Sequence, residues 1–391
     1  MRLSERLRQV TFPPITEVKS WLDGRQFSAD RPLVDLCQAI PDYPPPPQLV
    51  EHLVALLRDD ATLAIYSPDE GLVDARRSVA AWYQRRYGAS PDYRRVCLTI
   101  GASQAFWLAM LALCRAGDEV IVPLPAYFDH PMGLEALGIC PRYLPFASDN
   151  PLPDPARIAA AISERTRAIL LVTPSNPTGA VLPPALIDEL FQLARCNNIA
   201  LVLDETYNAF VPPGLAPHHL FSRPDWDEHF IHIASFGKTF ALTGFRAGAL
   251  IAAEKLLHQA LKVQDSMVVC QPRITQLAVA YGCDNLDDWV ADNAAMMQQR
   301  HDLFTRLFDV ADNPFELCAS GAFFAWVRHP WPQLSGRAAA RRLLDEAAVI
   351  ALPGEVFGPG LEGYLRLALG NVGYHAIEAA VARFSAITLD V

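Results

Sequence analysis

Short β-branched runs alternate with segments of helical period through the middle of the chain. Most runs end in turn residues and are followed by a pattern of 3.6-residue period, as in residues 186–195. The runs are residues 95–100, 119–124, 142–146, 168–173, 199–204, 230–235 and 247–252. Seven strands joined by helical crossovers indicate an α/β fold, a mainly parallel sheet covered by helices on both faces. Such sheets bind ligands beyond the carboxyl ends of their strands.

The two ends of the chain have a different pattern. Before residue 48 we expect a helix, a short strand near 33–36 and a proline-rich turn, and after about residue 285 long helices with a few strands, including 322–327 and 364–369. A chain of 391 residues is long enough for two domains. We therefore predict a large domain of residues 48–284, with the seven-stranded sheet between helices. Residues 1–47 and 285–391 would form a smaller α+β domain.

Charge and composition exclude several classes of protein. The net charge of −10 argues against a nucleic-acid partner, which needs a basic face. The longest apolar stretch, 105–114, is far shorter than the roughly 18 residues of a membrane helix. The N-terminal sequence lacks the apolar core of a signal peptide, and the eight cysteines form no CxxC pair. These features predict a cytoplasmic protein without a membrane segment, a disulfide framework or a metal site.

The sequence contains four lysines, so any reaction that needs a lysine amine has four candidate residues. They are Lys19, Lys238, Lys255 and Lys262. Lys238 follows the predicted strand 230–235, which would place its amine at the carboxyl edge of the sheet. Its neighbours Ser235 and Arg246 offer a hydroxyl and a guanidinium, both suitable phosphate ligands. We expect the other three lysines to lie on solvated faces.

A second candidate phosphate element follows the predicted strand 95–100. It consists of Gly101, Ala102 and Ser103, at the point where an apolar helix over 105–114 is expected. The free N–H groups and the dipole of a helix N-terminus attract anions. Many strand-to-helix turns have a similar sequence, so this element indicates a phosphate site only in combination with Lys238.

Two further polar clusters follow strands of the predicted sheet. Asn176 lies in a Pro/Gly turn after 168–173, and Asp204 ends the next strand, with Tyr207 three residues later. Taken singly, Asn176 suits a turn and Asp204 a helix cap. Together with Lys238 they match one cofactor, since a pyridinium nitrogen needs a carboxylate and a phenolic oxygen needs an amide and a hydroxyl as donors.

In this order the motifs resemble the class I and II aminotransferases, pyridoxal-phosphate enzymes with the aspartate aminotransferase fold (fold type I). The segments that carry the resemblance are YSPDEG at 66–71, GAS at 101–103, PAYFDH at 125–130, SNPTG at 175–179, DETY at 204–207, SFGKTFALTGFRAG at 235–248 and PGEVFGPGLEGYLRLAL at 353–369. They span most of the chain. The resemblance implies pyridoxal 5'-phosphate as cofactor, held by Lys238 as a Schiff base.

The resemblance also implies roles for three residues that local pattern does not define. Tyr127 would stack on the pyridine ring, for which its flat face is suited. Arg366 would hold the α-carboxylate of the substrate together with Asn176, although a salt-bridged strand arginine is the alternative. Tyr66 would reach the phosphate of a neighbouring subunit, which predicts a homodimer with shared active sites.

One stretch departs from the family pattern and bears on the substrate. Ala39 and Ile40 lie where the family often has a glycine in a GxPDF segment. With Tyr43, and facing Tyr127 and Phe323, they would form an apolar substrate wall. A second departure is a glycine at position 237, where the family often has a serine, which removes one hydroxyl from the phosphate site.

These residues together predict a pyridoxal-phosphate-dependent aminotransferase. It would move the amino group of an L-amino acid, with apolar or aromatic side chains favoured, to a 2-oxo acid. Lys238, Asp204 and Tyr207 would be catalytic. Arg273 is the one cation we name for a second substrate carboxylate, with a structural role as its alternative.

Two other functions remain open. A C–S β-lyase would use the same residues and would release pyruvate and ammonia from cysteine conjugates. A transcription regulator with an aminotransferase-like sensor would need a helix-turn-helix module ahead of the fold. Only about 50 residues precede the central sheet, which is too few for such a module and a linker.

Overall fold

The computed structural model describes residues 1–145, 152–212, 214–310 and 313–387. The described strands are β1 Val34–Asp35, β2 Val96–Ile100, β3 Glu119–Pro123, β4 Cys140–Leu144, β5 Thr166–Val172, β6 Ala200–Asp204, β7 Phe230–Ser235, β8 Ala247–Ile251, β9 Glu316–Gly321, β10 Phe324–Arg328, β11 Val349–Ile350, β12 Leu352–Pro353 and β13 Tyr364–Ala368.

The described α-helices are α1 Glu5–Gln9, α2 Pro14–Ser20, α3 Pro47–Asp59, α4 Val73–Tyr87, α5 Gly101–Leu113, α6 Asp129–Leu137, α7 Pro155–Ala161, α8 Pro184–Cys196, α9 Trp226–His229, α10 Phe236–Thr239, α11 Glu254–Val268, α12 Arg273–Asn285, α13 Asp287–Val310, α14 Gly336–Ala347 and α15 Tyr374–Ser385. Within the described part of the chain, none of these helices combines the length and the apolar character needed to cross a membrane.

The large sheet has seven strands in the order β2-β8-β7-β6-β5-β3-β4. All neighbouring pairs are parallel except those of β8, which runs antiparallel to both β2 and β7. Because β8 is reversed, its first residue, Ala247, pairs with the last residue of β2, Ile100. Arg246, just before β8, therefore lies at the same edge as the carboxyl ends of the parallel strands.

Both faces of the large sheet are buried. Along β5 and β6 successive side chains point to opposite faces, so Leu170 and Val202 belong to one apolar core while their neighbours Leu171 and Leu203 belong to the other. Helix α5 covers the first face, and α4 with α8 covers the second. A parallel sheet needs this double cover, which explains why its strands read as continuous apolar runs.

A smaller antiparallel sheet, in the order β12-β13-β10-β9, is formed by the C-terminal part of the chain. The N-terminal strand β1 pairs with β11 of the same part, joining the two ends. The predicted α/β class, with a mainly parallel seven-stranded sheet and a smaller α+β part from both termini, is confirmed. The domain boundaries at 47/48 and 284/285 stay a prediction.

Three predicted elements differ from the structure in their bounds. Helix α5 begins at Gly101, four residues before the predicted 105, so the GAS residues form its first turn. The strand predicted over 322–327 is the second strand of a hairpin, β9–β10, with Ala322 in the turn at φ 47°. The last residue of the strand predicted over 142–146 lies outside the described residues.

Candidate active site

A cavity of about 480 Å³ lies at the carboxyl edge of the large sheet. The predicted site residues that line it are Ala39, Ile40, Gly101, Ala102, Ser103, Tyr127, Asn176, Asp204, Tyr207, Ser235, Lys238, Arg246 and Arg366. They come from segments far apart in sequence, and the sheet topology brings their strand ends to one place. Thirteen of the fourteen predicted site residues therefore surround one cavity; the exception is Tyr66.

Lys238 lies in the short helix α10, which begins directly after β7. Its Nζ donates a hydrogen bond to the carbonyl of Ala39 at 2.5 Å. Burial lowers the pKa of Lys238 to about 7, and the positive charges of Arg246 and Arg366 contribute to this shift. An amine with this pKa is largely neutral just above pH 7, the form in which an amine attacks a carbonyl carbon.

An anion-binding cradle is formed by the N-terminus of α5 and the turn before β8. Gly101 has φ +72°, and a Cβ atom there would lie 2.6 Å from Nη2 of Arg246, so only glycine allows this guanidinium so close. Gly248 lies against the Gly101–Ala102 backbone, where a Cβ would be 2.4 Å from the Gly101 carbonyl carbon. Together with Ser235, which also lines the cavity, these groups provide N–H, guanidinium and hydroxyl donors for a phosphate.

Asp204 ends β6 with its carboxylate in the cavity. It is 3% exposed, and Oδ1 accepts a hydrogen bond from the N–H of Thr206 at 2.9 Å. Its other oxygen lies 3.2 Å from Nε2 of His130, which is also buried and packs on Phe106. Sequence reasoning missed His130, although it is the last residue of the PAYFDH motif.

Arg366 projects from β13 of the small sheet and is 1% exposed. Nη1 donates to Oδ1 of Asn176 at 3.3 Å and Nη2 donates to the carbonyl of Cys37. Nε has no hydrogen-bond partner among the described residues, and no carboxylate of that part of the chain pairs with the guanidinium. A buried cation with unused donors beside a cavity suits a substrate carboxylate. The salt-bridge alternative is not what the structure contains.

Two tyrosines, Tyr127 and Tyr207, line the cavity beside its polar residues. Tyr207 is 5% exposed and meets Phe324 edge-on, with ring centroids 5.0 Å apart. The hydroxyl of Tyr127 donates to Asp129 at 2.5 Å. Burial raises the pKa of both hydroxyls, so each remains protonated and can donate a hydrogen bond.

The apolar side of the cavity differs from the predicted wall. Neither Tyr43 nor Phe323 lines it: Tyr43 packs edge-on against Trp289, and Phe323 packs against Phe210 behind Tyr207. That part of the prediction was wrong. The apolar lining comes instead from α5, α6 and the N-terminal segment, namely Phe106, Trp107, Met132, Gly133, Ala136, Leu7, Val10 and Ile15.

Tyr66 and Arg273 lie outside the cavity as well. Tyr66 is 75% exposed, and its segment is held by buried Gln276, which donates to Ser67 at 2.7 Å and accepts from the N–H of Leu72 at 2.7 Å. Arg273 begins α12 and does not line the cavity of its own chain.

The sequence pattern of the family described as aminotransferase class I and II matches residues 31–384. The chain belongs to this family. Its members use pyridoxal phosphate, and the amine, the anion cradle and the carboxylate around the cavity form a donor set that fits this cofactor. The enzyme is thus an aminotransferase of the aspartate aminotransferase type of fold.

Known aminotransferases similar to the chain act on different amino acids by name. Aromatic-amino-acid aminotransferase 2 of Thermococcus litoralis is 26% identical over 99% of this chain and 98% of its own. An aspartate aminotransferase of Pyrococcus horikoshii is 28% identical over 87% of this chain and 86% of its own. The solved structure of YbdL from Escherichia coli, described as having a methionine aminotransferase function, has a TM-score of 0.88 at 26% identity, over 99% of this chain and all of its own.

Proposed function

We propose that this aminotransferase moves the amino group of an apolar or aromatic L-amino acid to a 2-oxo acid, with Lys238 holding pyridoxal phosphate as a Schiff base. The observation that carries the proposal is the joint position of Lys238, Asp204 and Arg366 around one cavity. Bound pyridoxal phosphate would supply an electron sink for negative charge at a substrate carbon. All other functions in the site belong to the side chains of the chain itself.

The polar residues divide between holding the cofactor and holding the substrate. Ser235, Arg246 and the first turn of α5 would bind the phosphate, and Tyr127 would lie against the ring. Asp204 would keep the ring nitrogen protonated, and its contacts with His130 and Thr206 orient the carboxylate. Asn176 and Tyr207 would donate to the phenolic oxygen.

Arg366 and Lys238 would act on the substrate itself. The unused donors of Arg366 would bind the α-carboxylate, which fixes the Cα–H direction. Once released by the incoming amine, Lys238 would accept the Cα proton as general base, and its pKa of about 7 matches that task near neutral pH.

The preference for apolar substrates rests on where the cations lie. Among the described lining residues, lysine and arginine occur at Lys238, Arg246 and Arg366, and all three have roles at the polar end. The other end is lined by aromatic and aliphatic side chains, among them Phe106, Trp107 and Met132. A carboxylate buried there without a cation would cost several kcal/mol, whereas an apolar side chain gains about 25 cal/mol per Å² buried.

A donor screen tests this proposal. Purified enzyme would be incubated with phenylalanine, leucine, methionine and aspartate, each with 2-oxoglutarate or pyruvate as acceptor. We expect kcat/KM for the first three donors to exceed that for aspartate by at least about tenfold. Aspartate as the best donor would contradict the apolar preference. Pyruvate and ammonia release from cysteine conjugates, without amino transfer, would replace the proposal with the C–S lyase.

The dimer is the other part of the proposal. Exposed apolar side chains occur on α3 and in the segment after it: Val50, Val54, Leu57, Ile65 and Tyr66. The first three follow one face of the helix at i, i+4 and i+7. Such a face on a water-soluble surface favours association, and a second copy of the chain would cover it while placing Tyr66 at the neighbouring site.

Subunit complementation tests the shared site. An inactive Tyr66 variant mixed with an inactive Lys238 variant should regain activity after exchange, since each mixed dimer has one site built from intact parts. Native mass spectrometry of differently tagged subunits verifies the exchange. Mixed dimers without recovered activity would show that Tyr66 does not serve the neighbouring site.

A further inference from the structure

A buried carboxylate network lies behind the candidate active site, on the other face of the large sheet. Glu205, the residue after Asp204, is 5% exposed. Its carboxylate lies 3.0 Å from Nε2 of His218 and 2.9 Å from Nδ1 of His232. The hydroxyl of Tyr83 lies 2.5 Å from the remaining nitrogen of His232. The proposed function does not use these four side chains.

One backbone contact determines the hydrogen positions in this network. The N–H of Leu220 points at Nδ1 of His218 at 3.2 Å, so this nitrogen accepts and the ring proton is on Nε2. Nε2–H therefore donates to Glu205. With the Tyr83 hydroxyl donating to Nε2 of His232, the ring proton of His232 is on Nδ1, which lies 2.9 Å from the same carboxylate oxygen without the alignment of a hydrogen bond. One oxygen of Glu205 thus accepts a hydrogen bond from His218 and is in close polar contact with His232.

The same arrangement disfavours a metal ion, although one glutamate and two histidines are suitable ligands. A metal on Nε2 of His218 would move the ring proton to Nδ1, where it would oppose the N–H of Leu220. Metal-bound histidines instead donate their second N–H to an acceptor. The Glu205 oxygen also lies 3.0 and 2.9 Å from the two imidazole nitrogens, closer than the roughly 3.3 Å edge of a zinc tetrahedron with bonds near 2.0 Å.

The carboxylate is held in its ionised form. Burial alone would raise the pKa of Glu205, but the two imidazoles, of His218 and His232, outweigh burial and hold the pKa at about 2. Glu205 is therefore a permanent acceptor at working pH, able to hold both imidazoles at once.

The backbone connects this network to the active site. Asp204 and Glu205 share one peptide bond: the Asp204 carbonyl accepts from the N–H of Thr173 at 2.9 Å, and the N–H of Glu205 donates to the carbonyl of Ile233 at 3.0 Å. Strand β6 ends here. The next turn, which carries Tyr207, starts from the Glu205 carbonyl, which accepts from the N–H of Asn208 at 3.0 Å.

We propose that Glu205 is a positioning residue, whose hydrogen bond with His218 and close contact with His232 hold the end of β6 so that Asp204 and Tyr207 face the cofactor cavity. The inference rests on the proposed function. A rigid attachment is needed here because a carboxylate displaced by about 1 Å loses much of its effect on a reacting group.

Two substitutions at this position separate anchoring from charge. Glu205→Ala removes both contacts, and the adjacent cavity of about 180 Å³, which His218 lines, lets water reach that imidazole. Glu205→Gln can keep both, because its carbonyl oxygen can take the place of the single Glu205 oxygen that contacts the two imidazoles. We expect kcat to fall about tenfold in Glu205→Ala with KM changed by less than about threefold, and Glu205→Gln to recover most of the loss.

A second readout needs neither cofactor nor turnover. The ¹⁵N signal of the His130 ring in the apoprotein reports its contact with Asp204, so it should shift in Glu205→Ala and stay in place in Glu205→Gln. Glu119→Ala is the matched control, because Glu119 is also buried and hydrogen-bonded, to Ser163 at 2.7 Å, but lies at the amino end of β3. It should change neither readout.

Three results would overturn the proposal. One is an unchanged kcat and an unchanged His130 signal in Glu205→Ala. If the alanine variant fails to fold, Glu205→Asp replaces it in this test, because aspartate is too short to reach both imidazoles. Another is an equal loss of kcat in Glu205→Ala and Glu205→Gln, which would mean that the charge of Glu205 matters and its contacts with the imidazoles do not. The third is one zinc ion per chain in the parent, lost in Glu205→Ala. Should the parent fail to transaminate, the proposed function fails, while the His130 signal still tests the positioning.

Discussion

The two ends of the active-site cavity are built in different ways. At the polar end, side chains come from strand ends and are fixed by hydrogen bonds: Asp204 has contacts to Thr206 and His130, and Arg366 has contacts to Asn176 and Cys37. At the apolar end, α1 buries none of its residues, and Leu7 is 59% exposed even though it lines the cavity. Its attachment to α6 includes a single polar contact, from Arg6 to the carbonyl of Leu137 at 3.1 Å.

This difference suggests a division of labour. Groups that stabilise charge must be in place before the reaction, because reorganising them during it adds to the barrier. Groups that only exclude water from an apolar side chain tolerate movement, since burial is not directional. Changes at the polar end should therefore abolish the reaction for every substrate, and changes at the apolar end should alter which substrate reacts.

The largest effect is expected for Lys238→Ala. Among the described residues no other lysine lines the cavity, so the variant should lose at least about a thousandfold in kcat and the borohydride-reducible bond to the cofactor. Turnover and mass spectrometry after borohydride reduction measure the two losses. A reducible adduct in the variant would show that another amine holds the cofactor.

Asp204→Asn should give the next largest effect. The amide keeps the shape but carries no charge to hold the ring nitrogen protonated, so kcat should fall about a hundredfold with cofactor still bound. Asp118→Asn is the control, since Asp118 is 4% exposed but lies before β3. Unchanged turnover in Asp204→Asn would mean that Asp204 only caps the turn.

Local sequence pattern predicted the polar end of the site well and the apolar end poorly. Asp204 is the last residue of β6 and Lys238 lies three residues after β7, so the topology alone places them at one edge. Tyr43 and Phe323 have no such constraint, and long-range packing on Trp289 and Phe210 turns them away from the cavity. The contact of His130 with Asp204 joins residues far apart in sequence, and no spacing rule indicates it.

A cation at the apolar end should change substrate choice without abolishing the reaction. In Met132→Arg, kcat/KM for leucine should fall and that for aspartate should rise, each by about tenfold, because the buried second carboxylate gains a partner. Met132→Gln has similar length and no charge, so it separates charge from polarity. An equal loss of kcat/KM for leucine and aspartate would mean that Met132 affects the reaction itself, as the residues of the polar end do. That result would contradict the division between the two ends.

The pH response of the free amine is a smaller effect. Because burial lowers the pKa of Lys238 to about 7, the neutral fraction rises from about a tenth at pH 6 to about nine tenths at pH 8. In apoprotein, the rate of borohydride-trapped labelling of Lys238 by an uncharged aldehyde should therefore rise about tenfold over that interval and level off above pH 8. Lys238→Ala gives the background. A rate that keeps rising about tenfold per pH unit up to pH 9 would mean that the amine is not desolvated.

Arg273→Ala should give the smallest effect. Arg273 does not line the cavity; hydrogen bonds from Thr62 chiefly lower the pKa of Asp60, and the positive charge of Arg273 adds to that shift. This places its charge near the surface turn at Asp60. A cation that serves the second carboxylate of a substrate, in its own subunit or a neighbouring one, would make aspartate turnover depend on it. We expect kcat/KM for aspartate and for leucine to change by less than about twofold, since surface substitutions seldom alter a site they do not touch. A selective loss with aspartate would assign Arg273 to the substrate and would reverse the expected preference for apolar donors.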